Sequence, residues 1–592
     1  MRYDRKSAGW VPVALVVFGA LTLGAGPACA DAANRRPNVL IVITDDQGYG
    51  DLGFHGNPVI RTPNLDRLAE QSVRLEQFYV SPVCAPTRAS LLTGRYNYRT
   101  GVVDTYLGRA MMHPDEVTLA ELLSAAGYRT GIFGKWHLGD NYPLRPTNQG
   151  FQEALVHKGG GIGQPSDPPG GESYFDPLLL HNGKLTRTKG YCSDVFTDAA
   201  IRFIEADHTR PFFAYLAFNA PHTPLQVPDR YEAIYRKLDL SPARFPKVGQ
   251  PIGGKFSADV TAKVYGMVEN IDDNLGRLLA RLDALKLADN TIVVFLTDNG
   301  PQQPRYNSGL RGLKGSVYDG GIRVPCFIRW PGRFAAGRAI DRVAAHIDLT
   351  PTLLDACGVA PPKGVPLDGR SLLPLLKGEG GDWPDRTIYI QWHRGDEPEL
   401  YRACAARSQR WKLVQPQGAG AMKFAGKPKF ELYDMVADPY ELKDVADQHP
   451  EVVERMRKGY EEWFKDVSST RGYAPVRIHL GSAQENPVVL TRQDWRGPRA
   501  GWGPKDRGYW EVYAAAGRYT VTVHFAPAPA GATAHLKLGP VRLEKPVPAG
   551  AKDCTFGPLQ LDAGPARLEA WTASGPDEAG VLFVEVLRVP AG

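Results

Sequence analysis

Short apolar runs alternate with stretches of helical periodicity between about residues 38 and 376. The run at 38–43 is almost continuously apolar, which is typical of a strand covered on both faces of a parallel sheet. Residues 62–69 predict a helix that begins at Thr62-Pro63 and places Leu65, Leu68 and Ala69 on one face. This alternation predicts an α/β domain.

The same reading places further elements along this part of the chain. It predicts strands at 73–80, 212–218, 291–296 and 322–328, and helices at 116–126 and 257–287. The glycine- and proline-rich stretch at 159–171 is predicted to be a loop.

The pattern changes twice after residue 376. Short strands near 387–392, 402–414 and 430–433, followed by a helix at 451–464, predict a small α+β subdomain. Alternating strands such as 510–513, 519–525 and 581–589 then predict an appended β-sandwich. The predicted organisation is a signal peptide at 1–30, an α/β domain at 31–376, the subdomain at 377–470 and the β-sandwich at 474–592.

The amino terminus predicts export. Arg2, Arg5 and Lys6 precede an apolar run over 11–26, and residues 28–30, Ala-Cys-Ala, offer a cleavage site. The alternative is a membrane anchor, but the run is shorter than the ~18 residues that a span needs. We therefore expect a periplasmic or secreted protein with no membrane span after cleavage.

Composition narrows the classes of partner. Apolar residues make up 43% of 592 residues, and the formal charge is only +6, which favours neither nucleic acid nor a membrane surface as partner. The six cysteines after residue 30 show no C-x-x-C spacing and are too sparse for a disulfide scaffold.

Two predicted strands each end in a pair of oxygen donors. Asp45 and Asp46 follow the first strand, and Asp298 and Asn299 follow the strand at 291–296. Because ligands bind at the carboxyl edge of such sheets, the four side chains together suit a hard cation, Ca²⁺ or Mg²⁺. Either pair alone is better explained by turn chemistry.

Cys84 precedes a helical run, and Arg88 lies one turn further on. A cysteine at a helix amino terminus is exposed to the positive end of the helix dipole. The residues alone leave three interpretations open: an activated thiolate, an anion site or a buried structural cysteine.

Residues 84–95, CAPTRASLLTGR, resemble the C-x-P-x-R-x-x-x-x-T-G-R signature of type I, formylglycine-dependent sulfatases. Residues 127–139, GYRTGIFGKWHLG, are similar to the family's second signature. Lys135 and His137 in it are two residues apart and are predicted to lie on one face of an extended segment. Residues 219–222 (NAPH), 310–315 (LRGLKG) and 318–325 (YDGGIRVP) resemble later family segments. Asp319 departs from the commoner glutamate. The resemblance implies an arylsulfatase-like enzyme with the alkaline-phosphatase-like α/β sandwich fold and a mostly parallel central sheet.

The resemblance also implies the chemistry. Cys84 would be converted by a formylglycine-generating enzyme to 3-oxoalanine, whose hydrate attacks the sulfur of a sulfate monoester. The implied Ca²⁺ ligands, with Mg²⁺ as the alternative, are Asp45, Asp46, Asp298, Asn299 and residue 84. The resemblance implies that Arg88 and Lys135 hold the hydrate and that His137 is its base. His222 would be the proton donor to the leaving alcohol. The side chains implied to contact the sulfate are Lys135, His222 and Lys314. All five side chains are implied to be catalytic.

Export and the β-sandwich favour a sulfated carbohydrate as substrate, by analogy; a small sulfate ester is the simpler alternative. Five aromatic residues of the β-sandwich are of a type that stacks on sugars, although most are expected to be core: Trp495, Trp502, Tyr509, Trp510 and Trp571. The rival functions are a phosphonate monoester or phosphodiester hydrolase of the same superfamily, a zinc phosphatase, and an inactive glycan-binding protein.

Overall fold

The computed structural model describes residues 36–167, 169–381 and 383–590, so the predicted signal peptide lies outside the described residues. The strands are β1 Asn38–Thr44, β2 Val73–Leu75, β3 Phe78–Tyr79, β4 Arg129–Lys135, β5 Glu153–His157, β6 Leu178–His181, β7 Lys184–Arg187, β8 Phe212–Ala217, β9 Thr291–Thr297, β10 Cys326–Arg329, β11 Ala339–Ile340, β12 Ala344–Ala345, β13 Ile388–Gln391, β14 Cys404–Arg407, β15 Trp411–Gln415, β16 Glu431–Asp434, β17 Ile478–Leu480, β18 Val488–Thr491, β19 Tyr509–Ala514, β20 Gly517–His524, β21 Thr533–Leu538, β22 Val541–Pro546, β23 Asp553–Leu561, β24 Gly564–Ser574, β25 Asp577–Gly580 and β26 Phe583–Val589. The α-helices are α1 Pro63–Glu70, α2 Cys84–Thr93, α3 Asn97–Thr100, α4 Leu119–Ala125, α5 Cys192–Glu205, α6 Asp229–Tyr235, α7 Ala258–Ala284, α8 Asp319–Ile322, α9 Leu349–Ala356, α10 Leu373–Lys377 and α11 Pro450–Ser468.

A 10-stranded sheet in the order β11-β2-β10-β9-β1-β8-β4-β5-β6-β7 forms the centre of the α/β part. The strands β9, β1, β8, β4 and β5 run parallel, and antiparallel strands flank them. The predicted α/β class with a central sheet is confirmed, and the continuous apolar run of β1 is buried at every position.

Helices cover both faces of this sheet. Val39, Ile41 and Ile43 of β1 pack in the layer that contains α2, α4, α9 and α10. Leu40 and Val42 pack in the opposite layer, with α1, α5 and α7. Successive side chains of a strand point to opposite faces, which explains why an unbroken apolar run is needed here.

Three predicted elements were wrong in extent. The predicted strand at 73–80 is two strands, β2 and β3, in different sheets. Residues 319–322 form the short helix α8, so β10 begins only at Cys326, after Pro325, which has no N–H to donate to a sheet. The helix predicted at 116–126 begins at Leu119, because Thr118 caps it in a capping box with Glu121.

The segment after the α/β part contains the antiparallel sheet β13-β14-β15-β16 and the helix α11. The single strand predicted near 402–414 is the hairpin of β14 and β15. Tyr433 of β16 and Tyr460 of α11 share a core with Tyr79 of β3, so the α+β segment is packed against the α/β part.

The carboxyl-terminal strands form two sheets, β17-β19-β24-β21-β22 with β25 beside β24, and β18-β26-β20-β23. We call residues 474–590 the C-terminal β region. Alternate residues of β20 and β21 are buried, as a strand with one covered face requires. The prediction of a strand-rich carboxyl terminus is confirmed, and the proposed domain boundaries stay predictions.

Within the described residues, no helix combines the length and apolar character that crossing a bilayer requires. The six cysteines at 84, 192, 326, 357, 404 and 554 are all buried and free.

Candidate active site

Strand register brings the two predicted oxygen pairs together. β1 and β9 are parallel neighbours, and Thr44 is in register with Thr297, so both chains leave the sheet at the same edge. The Asp46 backbone N–H donates to Asp298 Oδ1 at 3.3 Å, and Asn299 Nδ2 donates to Asp46 Oδ1 at 2.7 Å. Because the two pairs converge, turn chemistry alone does not account for them.

Three oxygens at this edge fit a cation. Asp45 Oδ1, Asp46 Oδ2 and Asn299 Oδ1 are buried and accept no hydrogen bond from any described residue. A buried polar atom without a partner costs about 1–3 kcal/mol, so three such oxygens at one sheet edge fit a positively charged group. Carboxylate and amide oxygens are the ligands that Ca²⁺ and Mg²⁺ prefer.

Three cationic side chains surround these carboxylates. Arg88 Nη2 donates to Asp298 Oδ2 at 2.8 Å, Lys135 Nζ donates to Asp45 Oδ2 at 2.5 Å, and Lys314 Nζ lies 2.7 Å from Asp46 Oδ1. Burial alone would raise the pKa of Asp46, but Lys314 and His222 hold the pKa well below its usual value. Burial and the neighbouring Asp45 raise the pKa of Asp298 to about 6.

Cys84 is the first residue of α2 and lies against the oxygen cluster. Its Sγ and one carboxylate oxygen each of Asp45 and Asp298 lie within 4.8 Å of one another. Burial raises the pKa of the Cys84 thiol, although Lys135 and Lys314 oppose the shift. The activated thiolate, one of the interpretations left open by the sequence, therefore has no support from the environment of the side chain.

The orientation of the His137 ring is fixed by a backbone carbonyl. Nε2 lies 2.7 Å from the carbonyl oxygen of Thr105, which can only accept, so Nε2 carries the proton. Nδ1 is buried and has no partner among the described residues. Burial and the charge of Lys135 hold the pKa of His137 well below its usual value. The neutral ring thus offers Nδ1 as a proton acceptor.

The backbone at His137 departs from the predicted extended conformation. Lys135 and His137 were expected two residues apart on one face of an extended segment, but β4 ends at Lys135. His137 has a left-handed backbone with φ 61°, which turns its side chain away from the strand pattern. Such backbone strain in a residue other than glycine is often found at functional sites.

His222 is held by the same kind of contact. Its Nδ1 lies 2.7 Å from the carbonyl oxygen of Thr223, so Nδ1 carries the proton, and Nε2 lies 3.9 Å from Asp46 Oδ2. Burial and the charge of Lys314 lower the pKa of His222 to about 3. In the free protein, Nε2 is therefore unprotonated.

Arg305 is a supporting residue that the sequence did not reveal. It forms a buried ion pair with Asp51 at 2.6 Å, and its Nη2 donates to the carbonyl oxygen of Asp46 at 2.9 Å. Asp46 has a left-handed backbone with φ 64°, so this bond holds a strained residue in place. No sequence spacing could have indicated Arg305, because it lies in a loop far from Asp46 in the chain.

A cavity of about 640 Å³ opens above the cluster. Its lining includes the predicted residues Cys84, His137, His222 and Lys314, while the buried carboxylates lie beneath. Its walls also contain residues that sequence analysis did not assign to the site: Thr105, Tyr106, Gly160, Gln164, Gln302, Trp392, Arg394 and Trp502. Trp502 alone carried a signal, as one of the five aromatic residues noted above. All ten predicted site residues therefore meet at this cavity and the carboxylate cluster below it.

Two family models match this chain. The family model described as Sulfatase matches residues 37–359. A second model, described as N-sulphoglucosamine sulphohydrolase, C-terminal, matches residues 313–466. Neither match extends into the C-terminal β region.

Individual relatives agree. The chain is 32% identical over 490 residues to arylsulfatase A of Homo sapiens, with 74% of this chain and 89% of the relative covered. It is 33% identical to N-acetylgalactosamine-6-sulfatase of Canis lupus familiaris, with 64% and 72% covered.

Two solved structures bear on the fold. The structure of Ps i-CgsB in complex with k-i-k-neocarrahexaose matches with a TM-score of 0.63 and 29% identity, and covers 74% of this chain and 94% of that one. The phosphonate monoester hydrolase of Agrobacterium radiobacter, at 22% identity, a TM-score of 0.53, and 74% and 96% coverage, shares the fold alone.

Proposed function

We propose, on the premise that the chain belongs to the sulfatase family of sulfuric ester hydrolases, that it removes sulfate from carbohydrate by means of an oxidised Cys84 and a bound Ca²⁺. The observation that carries the proposal is the set of three partnerless oxygens, on Asp45, Asp46 and Asn299, beside the Cys84 side chain. Hydrolysis of a sulfate ester needs charge neutralisation, a nucleophile and proton transfer.

The cation is proposed to be held by Asp45, Asp46, Asp298 and Asn299, with residue 84 beside it. When bound, Ca²⁺ supplies positive charge that orients and polarises a sulfate oxygen. The four proposed ligands offer only oxygen, which favours Ca²⁺ or Mg²⁺ over zinc. A ring nitrogen of His222 also lies within 4.8 Å of carboxylate oxygens of Asp45 and Asp46, and we assign it to proton transfer instead of to the metal.

Position 84 would carry the nucleophile as an aldehyde hydrate, and the Cys84 Sγ marks where the new oxygen atoms would lie. The raised pKa of the thiol and its burial argue against a role as a thiolate. Conversion requires a formylglycine-generating enzyme, which we propose as a partner during synthesis.

The cationic groups divide between the two sides of the reacting atoms. Arg88 is anchored by Asp298 and by the Lys135 carbonyl at 3.1 Å, which places its charge next to position 84. Lys314 lines the cavity, so its ammonium group can contact the sulfate group of a substrate. These fixed charges lower the cost of concentrating negative charge in the transition state.

Two histidines handle protons. His137 offers a bare Nδ1 because Thr105 holds its other nitrogen, so it is suited to accept a proton from a hydroxyl at position 84. His222 has its Nδ1 held by Thr223, so Nε2 is the nitrogen that would donate a proton to the leaving ester oxygen. Nε2 is unprotonated in the free protein and would take up this proton from solvent when the anionic sulfate ester binds beside it.

A carbohydrate substrate is supported by the relatives, whose names include a sulfated amino sugar and an oligosaccharide complex. The predicted signal sequence supports a periplasmic or secreted location, where such polymers occur. A simple sulfate ester remains the reference substrate for assays.

The decisive experiment uses protein coexpressed with a maturation enzyme. Peptide mass spectrometry is expected to find an aldehyde at position 84, and the matured protein is expected to hydrolyse 4-nitrophenyl sulfate and members of a panel of sulfated mono- and oligosaccharides. The variant Cys84→Ala should lose this activity, whereas Cys554→Ala, a buried cysteine of β23, should keep it.

Kinetics on matched sulfate, phosphonate and phosphodiester esters separate the rival hydrolases. Dominant phosphonate turnover would contradict the sulfatase assignment of the substrate. Full activity without an aldehyde at position 84 would contradict the proposed nucleophile.

A further inference from the structure

One wall of the active-site cavity comes from outside the matched family segments. Trp502 lies between β18 and β19 and lines the same cavity as Cys84. Its ring packs edge-on against Tyr106, with the ring centroids 5.2 Å apart and the planes at 78°. Of the described residues that line this cavity, Trp502 is the one contributed by the C-terminal β region.

The other aromatic residues of this region have different environments. Trp495 and Trp510 are fully buried in its core, and Trp571 is 8% exposed and stacks on His535. Trp502 is only partly buried at the edge of that core. The indole of Trp502 is thus the aromatic surface of this region that is presented to the catalytic cavity.

The C-terminal β region is fixed to the catalytic part by a common core and by backbone hydrogen bonds. Leu107, Met111 and Leu144 belong to the same hydrophobic cluster as Trp510. The Gly108 N–H also donates to the carbonyl oxygen of Gln493 at 2.9 Å. Continuous packing of this kind sets the distance between Trp502 and the reacting atoms, as a flexible tether would not.

Gln493 reaches the catalytic machinery itself. Its Nε2 donates to the carbonyl oxygen of Thr105 at 3.0 Å, which is the oxygen that also fixes the His137 ring. Tyr106, the next residue, also contacts Arg394, whose guanidinium lies 4.5 Å from the ring centroid. The wall around Trp502 is therefore rigid.

Arg394 is in turn held by the buried carboxylate of Asp104. Arg394 Nη1 donates to Asp104 Oδ1 at 2.6 Å, and Trp392 Nε1 donates to the same oxygen at 3.0 Å. Asp104 is buried, so both partners are held tightly. The result is an aromatic and cationic rim around a cavity far larger than a sulfate group.

The chemistry of this rim suits a sugar ring. A cavity of about 640 Å³ is in the range of small-molecule sites and leaves room beyond the sulfate that Lys314 and His222 contact. The face of an indole is electron-rich, and the C–H groups of a pyranose face are electron-poor, so the two stack favourably. An aromatic side chain in the cavity wall can therefore stack on such a ring, whereas it offers no hydrogen bond or charge to an isolated sulfate.

We propose that Trp502, backed by Tyr106, is a sugar-binding subsite of the active site, and that the C-terminal β region thereby contributes to substrate selection. The proposal rests on the sulfatase function proposed above. It assigns to Trp502 the saccharide ring that bears the scissile sulfate or directly adjoins it. Trp502 does not touch the reacting atoms, so the proposal concerns specificity and leaves the chemical step unchanged.

The test compares two substrate classes on matured full-length protein. Trp502→Ala is expected to lower kcat/KM about 3- to 10-fold for the sulfated saccharide that the wild type hydrolyses best, mainly through KM. Turnover of 4-nitrophenyl sulfate should change less than about 2-fold, because Trp502 does not contact the reacting atoms. Trp502→Phe should retain most of the saccharide activity, because it keeps an aromatic face.

Tyr513→Ala is the matched control, since Tyr513 is a 42% exposed aromatic residue of β19 outside the cavity. Thermal melts of each variant show whether folding is intact. If the Tm of Trp502→Ala is lowered, the subsite is judged from the saccharide activity of Trp502→Phe relative to wild type. Equal losses on both substrate classes, or none on either, would overturn the subsite.

The proposed function and the subsite fail in different ways. If the matured wild type hydrolyses 4-nitrophenyl sulfate but no saccharide of the panel, the sugar subsite is overturned and sulfate ester hydrolysis stands. If it hydrolyses neither class, the proposed function itself is wrong.

Discussion

Removal of the Lys412 ammonium should destabilise the protein by about 3–5 kcal/mol, the usual cost of leaving a buried charge without its partner. Lys412 lies on β15, its side chain is 0% exposed, and Nζ donates to Asp319 Oδ1 and to Glu441 Oε1 at 2.6 Å each. Asp319 is also near Arg323, at 3.9 Å, whereas Lys412 is the one ion-pair partner of Glu441 in the described chain. Glu441 should therefore account for most of the loss in Lys412→Met.

Asp319, at which the sequence departs from the family motif that it resembles, belongs to this cluster. The shorter side chain still reaches Lys412, and the backbone N–H of Asp319 donates to Glu441 Oε2 at 2.8 Å. α8 begins at Asp319, and the carbonyl of Gly321 accepts from the N–H of Gly300, directly after Asn299. A substitution that loosens the cluster should therefore also disturb Asn299, a proposed ligand of the metal.

The assay is urea unfolding followed by tryptophan fluorescence, with Lys458→Met, an exposed lysine of α11, as the control. Adding Glu441→Gln to Lys412→Met should recover most of the loss, because Asp319 keeps Arg323 as an ion-pair partner and no carboxylate is then buried without one. Burial raises the pKa of Glu441 to about 7, so the deficit of the single variant should grow as the pH rises through 7. A loss below about 1 kcal/mol, far under the cost of an unpaired buried charge, or the absence of recovery would refute the reasoning.

Three further predictions follow from named contacts. Chelation of the matured protein with EGTA should lower its Tm, and excess Ca²⁺ at about 100 times its Kd should restore about 2.7 kcal/mol. Asn299→Leu should abolish this response, whereas the control Asp283→Asn, at an exposed position of α7, should keep it. Gln493→Leu should lower kcat about 2- to 10-fold and shift the pH–rate profile, because the Thr105 carbonyl that orients His137 then loses the hydrogen bond from Gln493. An unchanged pH–rate profile would contradict the positioning role. Burial and nearby Asp140 raise the pKa of Asp494 to about 8, so the folded state keeps a proton that the unfolded chain loses near pH 4. The free energy of unfolding should therefore fall as the pH rises from 4 through 8. The difference in Tm between pH 6 and pH 9 should be smaller for Asp494→Asn than for wild type.

Much of the catalytic site was predictable from sequence because it depends on where strands and helices end. The apolar run of β1 predicted a buried parallel strand, and the acidic pair after it predicted donors at the sheet edge. The pair after β9 meets it because Thr44 and Thr297 are in register, which general rules for parallel sheets anticipate. The short motif at 84–95 likewise placed Cys84 at a helix amino terminus, where it is found.

Other features depended on contacts between distant segments. The left-handed turn at His137 breaks the alternation that a strand pattern assumes, and it is held by Thr105, which no local pattern links to it. Pro325 and the short helix at 319–322 shortened a strand that looked longer by apolar content alone. Local propensity sets the type of an element, but competing tertiary contacts set its limits.

The amino-acid sequence by itself determined the chemistry of this protein: the strand ends with paired oxygens, the cysteine at a helix start, and the cations that follow. Only the tertiary structure decided that Trp502 enters the catalytic cavity while Trp495 and Trp510 are buried in the C-terminal core. The physical reason is the distance along the chain between the residues that interact. Motifs are read along a few consecutive residues, whereas the position of Trp502 results from packing between the C-terminal β region and a loop almost 400 residues earlier, at Tyr106.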